Sequence, residues 1–527
     1  MRAMNGKGRS GRFVRGLLLA ALAVGAVRAQ PAPDEPPVTF RTDAVPPYGA
    51  MGVETAEGRR LLEEGRALIL AFRLDEAEAA FHALDRAEPG NPAGIYHRGM
   101  LALWRALMNE REPYYGRFFA VNDTLQAVAE AMPEGPWKTH IEADAAAYRA
   151  IIYAKQRRYS KAALAMRAAF GRYEANVRRH PDFWESYRGL GLSHVAVGSV
   201  PRKYRWVLRL FGYGGTVQQG IEELELALRN SAYSREEAAL YLAVVDALLN
   251  ERKGGAIRYV EALYEAYPES PMPAYLYAFL LLDARRAEAA EAVLRDALRL
   301  QEPDAVTDIP YIDFYLGEAL FRQNRFEEAI PFLERYTRSY RGSALIAQGY
   351  LYTGLAYEMT GDRDRAEAAY RRIRSDHDYD ADEAAQRRAE QLLERPLTET
   401  ERTLLLGQNL YDGGRDREAI TTLQPVLTSS SVEDVQRAEA AYRSGRAYQS
   451  LQNWDEALRH YRIAVERPGD PLAKWGPWSQ LYIGEVYEAL GDRDAARAAY
   501  RAALDNETEF DYNQALEQRA RTALGRL

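Results

Sequence analysis

The stretch LYIGEVYEALGDRDAARAAY, residues 481–500, decides the fold of this chain. Gly484 is followed by Tyr487 three positions on, by Ala496 twelve positions on and by Tyr500 sixteen positions on. The spacing reads as two helices in close contact. The small residues let the helices approach, and large residues three or four positions away lie on neighbouring faces. Five further copies keep the same phase. They are Gly354, Tyr357, Ala366 and Tyr370; Gly445, Tyr448, Ala457 and Tyr461; Gly407, Leu410, Ala419 and Leu423; Gly317, Leu320, Ala329 and Leu333; and Gly65, Leu68, Ala77 and Phe81, a unit that Pro89 closes. The Gly and Ala are expected where the two helices of a hairpin meet, with the large residues filling the space between successive hairpins.

Weaker copies occupy the gaps. Ala150, Tyr153, Tyr159, Ala162 and Ala169 fit one unit; Ala256, Val260 and Leu263, closed by Pro268, fit another; Ala278, Ala290, Leu294 and Ala297 fit a third. Trp184 to Gly198 reads as a first helix carrying Leu190-Gly191, with Val217 to Arg229 as its partner and Gly220 in the alanine place. Ala93 to Met108 and Phe118 to Met132 form a divergent pair. One hairpin cannot bury its apolar face alone, so the hairpins must stack. The pattern resembles the tetratricopeptide repeat, whose signature runs W-x2-L-G-x2-Y…A-x3-F…P. Leu316-Gly317, Leu406-Gly407 and Ile483-Gly484 supply its L-G step. The resemblance implies an all-α fold, an α-solenoid or superhelix of about eleven hairpins, that acts as a protein-binding scaffold.

The second half carries a larger duplication. Gly361-Asp362-Arg363-Asp364 before Ala366 recurs as Gly491-Asp492-Arg493-Asp494 before Ala496. An extra helix is expected after each, at Ala381 to Glu394 and at Asn513 to Leu524. Both extra segments carry Gln-Arg-Arg-Ala or Gln-Arg-Ala, preceded by Asp378-Tyr379 or Asp511-Tyr512. Residues 271–395 and 400–527 therefore read as two copies of a three-hairpin block, with Pro396 between them and the last extra helix as a cap. Residues 54–270 read as a divergent array interrupted by an insertion at 199–215.

The first thirty residues read as an export signal. Arg2, Lys7, Arg9, Arg12 and Arg15 form a basic start, Gly16 to Val27 is apolar, and small residues follow, with cleavage expected after Ala26 or Ala29. The apolar stretch is shorter than the roughly 20 residues a spanning helix needs, so an uncleaved anchor is the weaker alternative. Cleavage after Ala29 removes six basic residues and moves the net charge from -7 to -13. Gln30 to Val53 reads as a disordered linker, since Pro31, Pro33, Pro36, Pro37, Pro46 and Pro47 prevent helix and sheet ladders. The expected location is the periplasm. Cysteine is absent, which removes disulfides, thiolate metal sites, cysteine nucleophiles and lipid attachment through an N-terminal cysteine. Charge is spread along the chain, with no basic face of the kind a nucleic-acid binder needs.

No enzyme is legible. His82, His97, His140, His180, His194, His377 and His460 show no zinc-motif spacing, and no phosphate loop, dinucleotide fingerprint or nucleophile elbow appears. Gly212, Gly214 and Gly215 follow no strand, and Glu236-Glu237 and Glu327-Glu328 suit helix N-terminal turns. No cofactor or metal is expected. The function read from the chain is a scaffold that binds a protein or peptide partner, against an enzyme with an unrecognised site as the competing class. In the resembled family one face of each first helix turns to the concave side. On that face lie Tyr275, Phe279, Tyr311, Phe314, Glu318, Phe321, Leu351, Tyr411, Tyr442, Arg446, Trp478 and Glu485, an aromatic groove suited to a partner segment. The family's chaperone-tail clamp uses Lys and Asn there. This sequence has neither at matching places, so a co-chaperone role is not implied.

The insertion offers a second surface. Tyr204, Val207, Leu208 and Phe211 form an apolar stripe in a helical register, with Trp206 and Leu210 widening it and Arg202, Arg205 and Arg209 off it. Gly189 through Leu224 resembles the insertion of a eukaryotic tetratricopeptide family associated with the mitochondrial outer membrane and inclusion-body clearance. The resemblance rests on Pro201, Phe211-Gly212-Tyr213-Gly214 and Gly220-Ile221. The export signal departs from that family, so its cellular role does not carry over. The stripe either folds back on the array or lies on an anionic membrane, which makes an envelope assembly factor the alternative function.

Overall fold

The structure, a computed structural model, describes residues 38, 40, 51–199, 213–248, 253–300, 309–374, 380–466, 474–505 and 513–527. The expected signal peptide, most of the proline-rich lead, and Tyr204, Arg205, Trp206, Val207, Leu208, Arg209 and Phe211 of the insertion lie outside the described residues. Among those described there are 24 helices and no strand. The fold is all-α, of the α-solenoid class. No described helix is long and apolar enough to cross a membrane.

Two compact units divide the chain: residues 1–284 with 293–309, and residues 285–292 with 310–527. In the first, hairpins form from α1 (Ala56–Leu70) and α2 (Leu74–Ala87), α3 (Pro92–Asn109) and α4 (Glu112–Ala131), α5 (Pro136–Lys155) and α6 (Tyr159–Arg179), α7 (Glu185–Gly198) and α8 (Val217–Asn230), and α9 (Arg235–Leu248) and α10 (Lys253–Ala266). Helix α11 (Pro271–Asp283) follows, and α12 (Ala287–Leu300) is shared between the units. In the second unit α13 (Tyr311–Arg322) pairs with α14 (Phe326–Ser339), and α15 (Ile346–Thr360) pairs with α16 (Arg363–Tyr370). The extra helix α17 (Asp380–Glu394) packs on both members of that second pair. Then α18 (Glu399–Asp412) pairs with α19 (Asp416–Thr428), α20 (Asp434–Ser450) with α21 (Trp454–Glu466), and α22 (Trp475–Ala489) with α23 (Arg493–Leu504), before the second extra helix, α24 (Asn513–Arg526).

The alanines of the repeat sit where the spacing places them: Ala77, Ala329, Ala366, Ala419, Ala457 and Ala496 are wholly buried. The large residues sixteen positions after the glycine do more than fill the space between hairpins, where Tyr461 stacks 5.9 Å from Tyr482 of the next one. They also lie over the glycine of their own hairpin. A Cβ on Gly484 would stand 2.5 Å from the Tyr500 ring, one on Gly445 2.7 Å from Tyr461, and one on Gly407 2.5 Å from Leu423. Glycine is required because the ring or leucine of the second helix fills the volume that its side chain would take. In the divergent pair α7 and α8 both positions are glycine. There the backbones themselves touch: a Cβ on Gly191 would meet the Gly220 carbonyl at 2.7 Å.

The duplicated Gly-Asp-Arg-Asp tetrapeptide has a separate job for each of its first three residues. Gly361 and Gly491 take φ of +89° and +81°, the left-handed turn that ends the first helix. Asp362 and Asp492 cap the second helix by accepting from the N–H of Arg365 and of Ala495. Arg363 and Arg493 reach onward to the extra helices, donating to the carbonyls of Leu392 at 2.6 Å and of Leu527 at 2.7 Å.

Met51 and Val53, assigned from sequence to the lead, are buried, and Asn91 Nδ2 donates to the Met51 carbonyl at 3.3 Å. The packed body therefore includes Met51 and Val53. Inside the first unit, Asp144 accepts from the hydroxyls of Tyr96, at 2.6 Å, and Tyr173, and pairs with Arg188. Arg188 also reaches Glu237 at 2.5 Å. Glu237 is thus more than the helix-turn acid expected from its place in the sequence.

Candidate functional site

A trough of about 1200 Å3 opens in the second unit. Its walls come from α13, α15, α17, α18 and α20 and from the start of α22. Aromatic rings line part of it. Tyr352 stacks on Phe321 with 5.0 Å between centroids and on Phe314 at 6.1 Å. At the other end the Arg443 guanidinium lies 5.1 Å over the Trp475 ring. Charged groups of both signs complete the lining. Arg395 pairs with Glu401 at 2.6 Å and Arg388 pairs with the same carboxylate at 3.6 Å. Burial alone would raise the Glu401 carboxyl, but Arg395, the Thr398 N–H and Arg388 outweigh it and hold its pKa down to about 2. Thr398 and Glu401 also form a reciprocal capping box that fixes the start of α18.

Beside the trough, guanidinium groups and rings alternate. Arg285 lies 3.7 Å over the Tyr411 ring, and Arg446 is 5.4 Å from that ring and 3.9 Å from Tyr482. Arg519 is 5.3 Å from Tyr482 and 5.6 Å from Trp478, and is paired with Glu485 at 2.6 Å. Tyr442 receives a hydrogen bond from Arg446 at 3.3 Å and packs 5.2 Å from Trp475. Each cation over a ring contributes about 0.5–2 kcal/mol, more as water is excluded. The array links α18, α20, α22 and α24, with the Tyr411 and Tyr482 rings buried in it.

The residues picked out in the sequence are distributed unevenly over these features. Phe321 and Leu351 line the trough. Tyr411, Tyr442, Arg446, Trp478 and Glu485 converge in the cation–ring array. Tyr311, Phe314, Glu318, Phe321 and Tyr411 are buried, so most of their surface is spent on packing: Tyr311 shares a hydroxyl hydrogen bond with Tyr340 at 2.9 Å, and Glu318 holds Arg322 at 2.6 Å. Tyr275 and Phe279 belong to the first unit, where Tyr275 is buried and its phenol is pushed up by desolvation. The sequence reading missed Tyr352, Arg388, Arg395, Glu401, Arg443 and Trp475. The signal for Arg388 and Arg519 was present in Gln386-Arg387-Arg388-Ala389 and Gln518-Arg519-Ala520. In each, the alanine is buried against the array and the preceding arginine faces its polar partners. Among the described residues no three His, Asp or Glu side chains come together as metal ligands.

The tetratricopeptide-repeat family matches residues 275–344, 316–383 and 404–472 in one form and 478–507 in another. No curated protein matches the chain. Among solved structures it is similar to the crystal structure of the P58(IPK) TPR domain, at 14% identity, over 89% of this chain and 99% of that one. The TM-score of 0.20 is too low for that likeness to bear on shape. The repeat spacing, the glycine-to-ring contact inside each hairpin and the family matches agree, and tetratricopeptide repeats are a protein–protein interaction scaffold. Residues 275–383, 404–472 and 478–507 of the chain are matched by the tetratricopeptide repeat.

Proposed function

We propose that the chain is an exported, non-enzymatic scaffold that grips a polypeptide segment of a protein partner in the trough of its second unit. The observation that carries this reading is the trough itself. At about 1200 Å3 it exceeds the roughly 300–1,000 Å3 of small-ligand sites, and its lining mixes aromatic faces with paired charges of both signs. Such a lining suits a segment of mixed composition and offers no concentrated charge for a nucleic acid. The cation–ring array extends the same surface through Tyr442 and Trp478. Export rests on the basic and apolar order of residues 2–27.

A photo-crosslinking residue placed at Leu351 or Gln436 in the trough, with Arg417 on the exposed side of α19 as control, tests the site in cells. Adducts are expected from the two trough positions alone, and should fall when Arg388→Glu and Arg443→Glu are combined. Equal labelling from Arg417 rejects the trough. For export, sequencing the purified protein should return a start near Val27 or Gln30; an intact Met1 in a membrane pellet rejects it. The envelope reading rests on the stripe of Tyr204, Val207, Leu208 and Phe211, and sedimentation of Arg205→Glu with anionic liposomes distinguishes it.

A further inference from the structure

In the first unit, α6 carries five cations, Lys161, Arg167, Arg172, Arg178 and Arg179, against a single acid, Glu174. Arg172 pairs with Glu142 of α5 at 3.2 Å. Lys161, Arg167, Arg178 and Arg179 are exposed, and among the described residues none of them makes an ion pair, with Glu174 or with any other acid. Elsewhere exposed arginines stand beside their own acids. Arg60 touches Glu57 and Glu64 on α1, and Arg459 touches Glu456 on α21.

At 3.6 residues per turn, Leu164 lies midway across this face, with Arg167 and Arg178 on one flank and Lys161, Arg172 and Arg179 on the other. Leu164 is 71% exposed, the greatest exposure of a large apolar side chain among the described residues. Between α5 and α6 the face sinks into a shallow hollow of about 570 Å3. Two acids line the hollow and both are taken, Glu142 by Arg172 and Glu134 by Lys138 at 2.8 Å. Arg167 and Arg179 line it as well, and their charge is surplus. Guanidinium groups without a carboxylate suit a phosphate, whose oxygens accept their N–H groups in pairs.

Two observations favour a lipid as the source of that phosphate. No aromatic side chain lines the hollow, so it lacks the large buried anchors on which polypeptide docking relies. The chain also returns from the insertion at this face. Tyr213, the first described residue after it, donates its hydroxyl to the Ala163 carbonyl at 3.1 Å, and Arg167 lies 5.9 Å over its ring. The sequence just before Tyr213 carries Arg202, Lys203, Arg205 and Arg209 with Tyr204, Trp206 and Phe211, the mix of basic and aromatic residues that membrane interfaces take. We infer that this face of α6 is a docking strip for an anionic lipid surface, with Arg167 and Arg179 on lipid phosphate and Leu164 below the headgroups. A chain of net charge -7 is repelled by such a surface as a whole, so the strip selects the side that docks. The strip is independent of the trough in the second unit and stands whether or not the trough binds a partner.

The test sediments the full chain with phosphatidylglycerol vesicles and with phosphatidylcholine vesicles, and reads the ratio of the two affinities. The chain should prefer phosphatidylglycerol, and the preference should fade as salt shortens the Debye length from about 10 Å at 0.1 M to about 3 Å at 1 M. Arg167→Gln combined with Arg179→Gln should lower the ratio by about 25-fold, about fivefold for each charge removed. Arg60→Gln combined with Arg459→Gln changes the net charge equally, away from the strip, and should leave the ratio unchanged. Leu164→Ser should weaken binding to phosphatidylglycerol by about tenfold. All these positions are exposed, so thermal melts should match the parent. Absence of a phosphatidylglycerol preference overturns the inference. So does a preference that survives the Arg167 and Arg179 changes, or one that falls equally with Arg60 and Arg459. Saturable binding of inorganic phosphate without vesicle preference overturns the lipid source and assigns the hollow to free phosphate. Capture of poly-glutamate without vesicle preference overturns it in favour of an acidic polypeptide.

Discussion

Replacing Gly484 with alanine puts the repeat's central contact to the test. An alanine in a helix interior is ordinarily better than glycine by about 1 kcal/mol, because glycine loses more backbone freedom. At Gly484 the added methyl stands 2.5 and 2.7 Å from two atoms of the buried Tyr500 ring. Tyr500 cannot swing aside, since it is wholly buried and its hydroxyl is held by Glu488. Overpacking a tight core costs about 1–3 kcal/mol, and contacts this short belong at the upper end. The net loss is therefore about 2 kcal/mol. For a cooperative unit of this size that lowers the melting temperature by about 4–8 °C. Gly171 is the control. It lies in α6, is exposed, and has no atom within 4 Å of an added Cβ. Gly171→Ala should gain about 0.5–1 kcal/mol. Thermal melts followed by circular dichroism compare the two. The double variant Gly484→Ala with Tyr500→Leu should lose at least about 1 kcal/mol less than the two single variants together, because the ring that the methyl strikes is gone. A Gly484→Ala protein that melts at or above the parent refutes the argument, and strict additivity in the double variant refutes the assignment to Tyr500.

Ala457→Leu and Ala496→Leu, each at a wholly buried position, should cost about 1–3 kcal/mol apiece, and unchanged melts for both would contradict the packing described. Burial pushes the pKa of His97 down to about 3, against a weaker opposing hydrogen bond to the Ala93 carbonyl. The unfolded chain takes up that proton near pH 6.5, so this contribution to stability is complete above that pH. It is lost as pH falls toward 3, by up to about 1.4 kcal/mol per pH unit and about 2 kcal/mol at pH 5. His97→Gln should flatten the stability profile between pH 6.5 and 5 in denaturant titrations; an unaltered slope assigns the effect to another group. Arg363→Ala and Arg493→Ala should speed amide exchange in α17 and α24 respectively, with no change in the other extra helix, and equal protection would show that these arginines do not fasten them. Asp144→Asn leaves the buried Arg188 short of a counter-charge and should destabilise by about 3–5 kcal/mol in urea melts, a loss that a spectator carboxylate would not show.

The fold was legible because the repeat's spacing is local. Gly484, Ala496 and Tyr500 lie on two consecutive helices, so twenty residues state which faces touch, and the same statement recurs at Gly354, Gly407 and Gly445. The extra helices were legible for a similar reason, as duplicated segments with their own alanine and arginine phases. The binding surface was not. Whether Phe314 or Tyr411 faces a partner or the core depends on side chains from helices tens of residues away, such as Tyr352 and Arg285. The trough's wall of Arg388, Arg395 and Glu401 arises from α17 packing against the neighbouring hairpin, which no single repeat encodes. The sequence by itself determined a stack of helical hairpins with glycine at their crossings, because near-neighbour sterics need only near-neighbour residues. The tertiary structure alone decided which aromatics are buried and where the trough opens, because exposure and enclosure are properties of surfaces assembled from several distant helices.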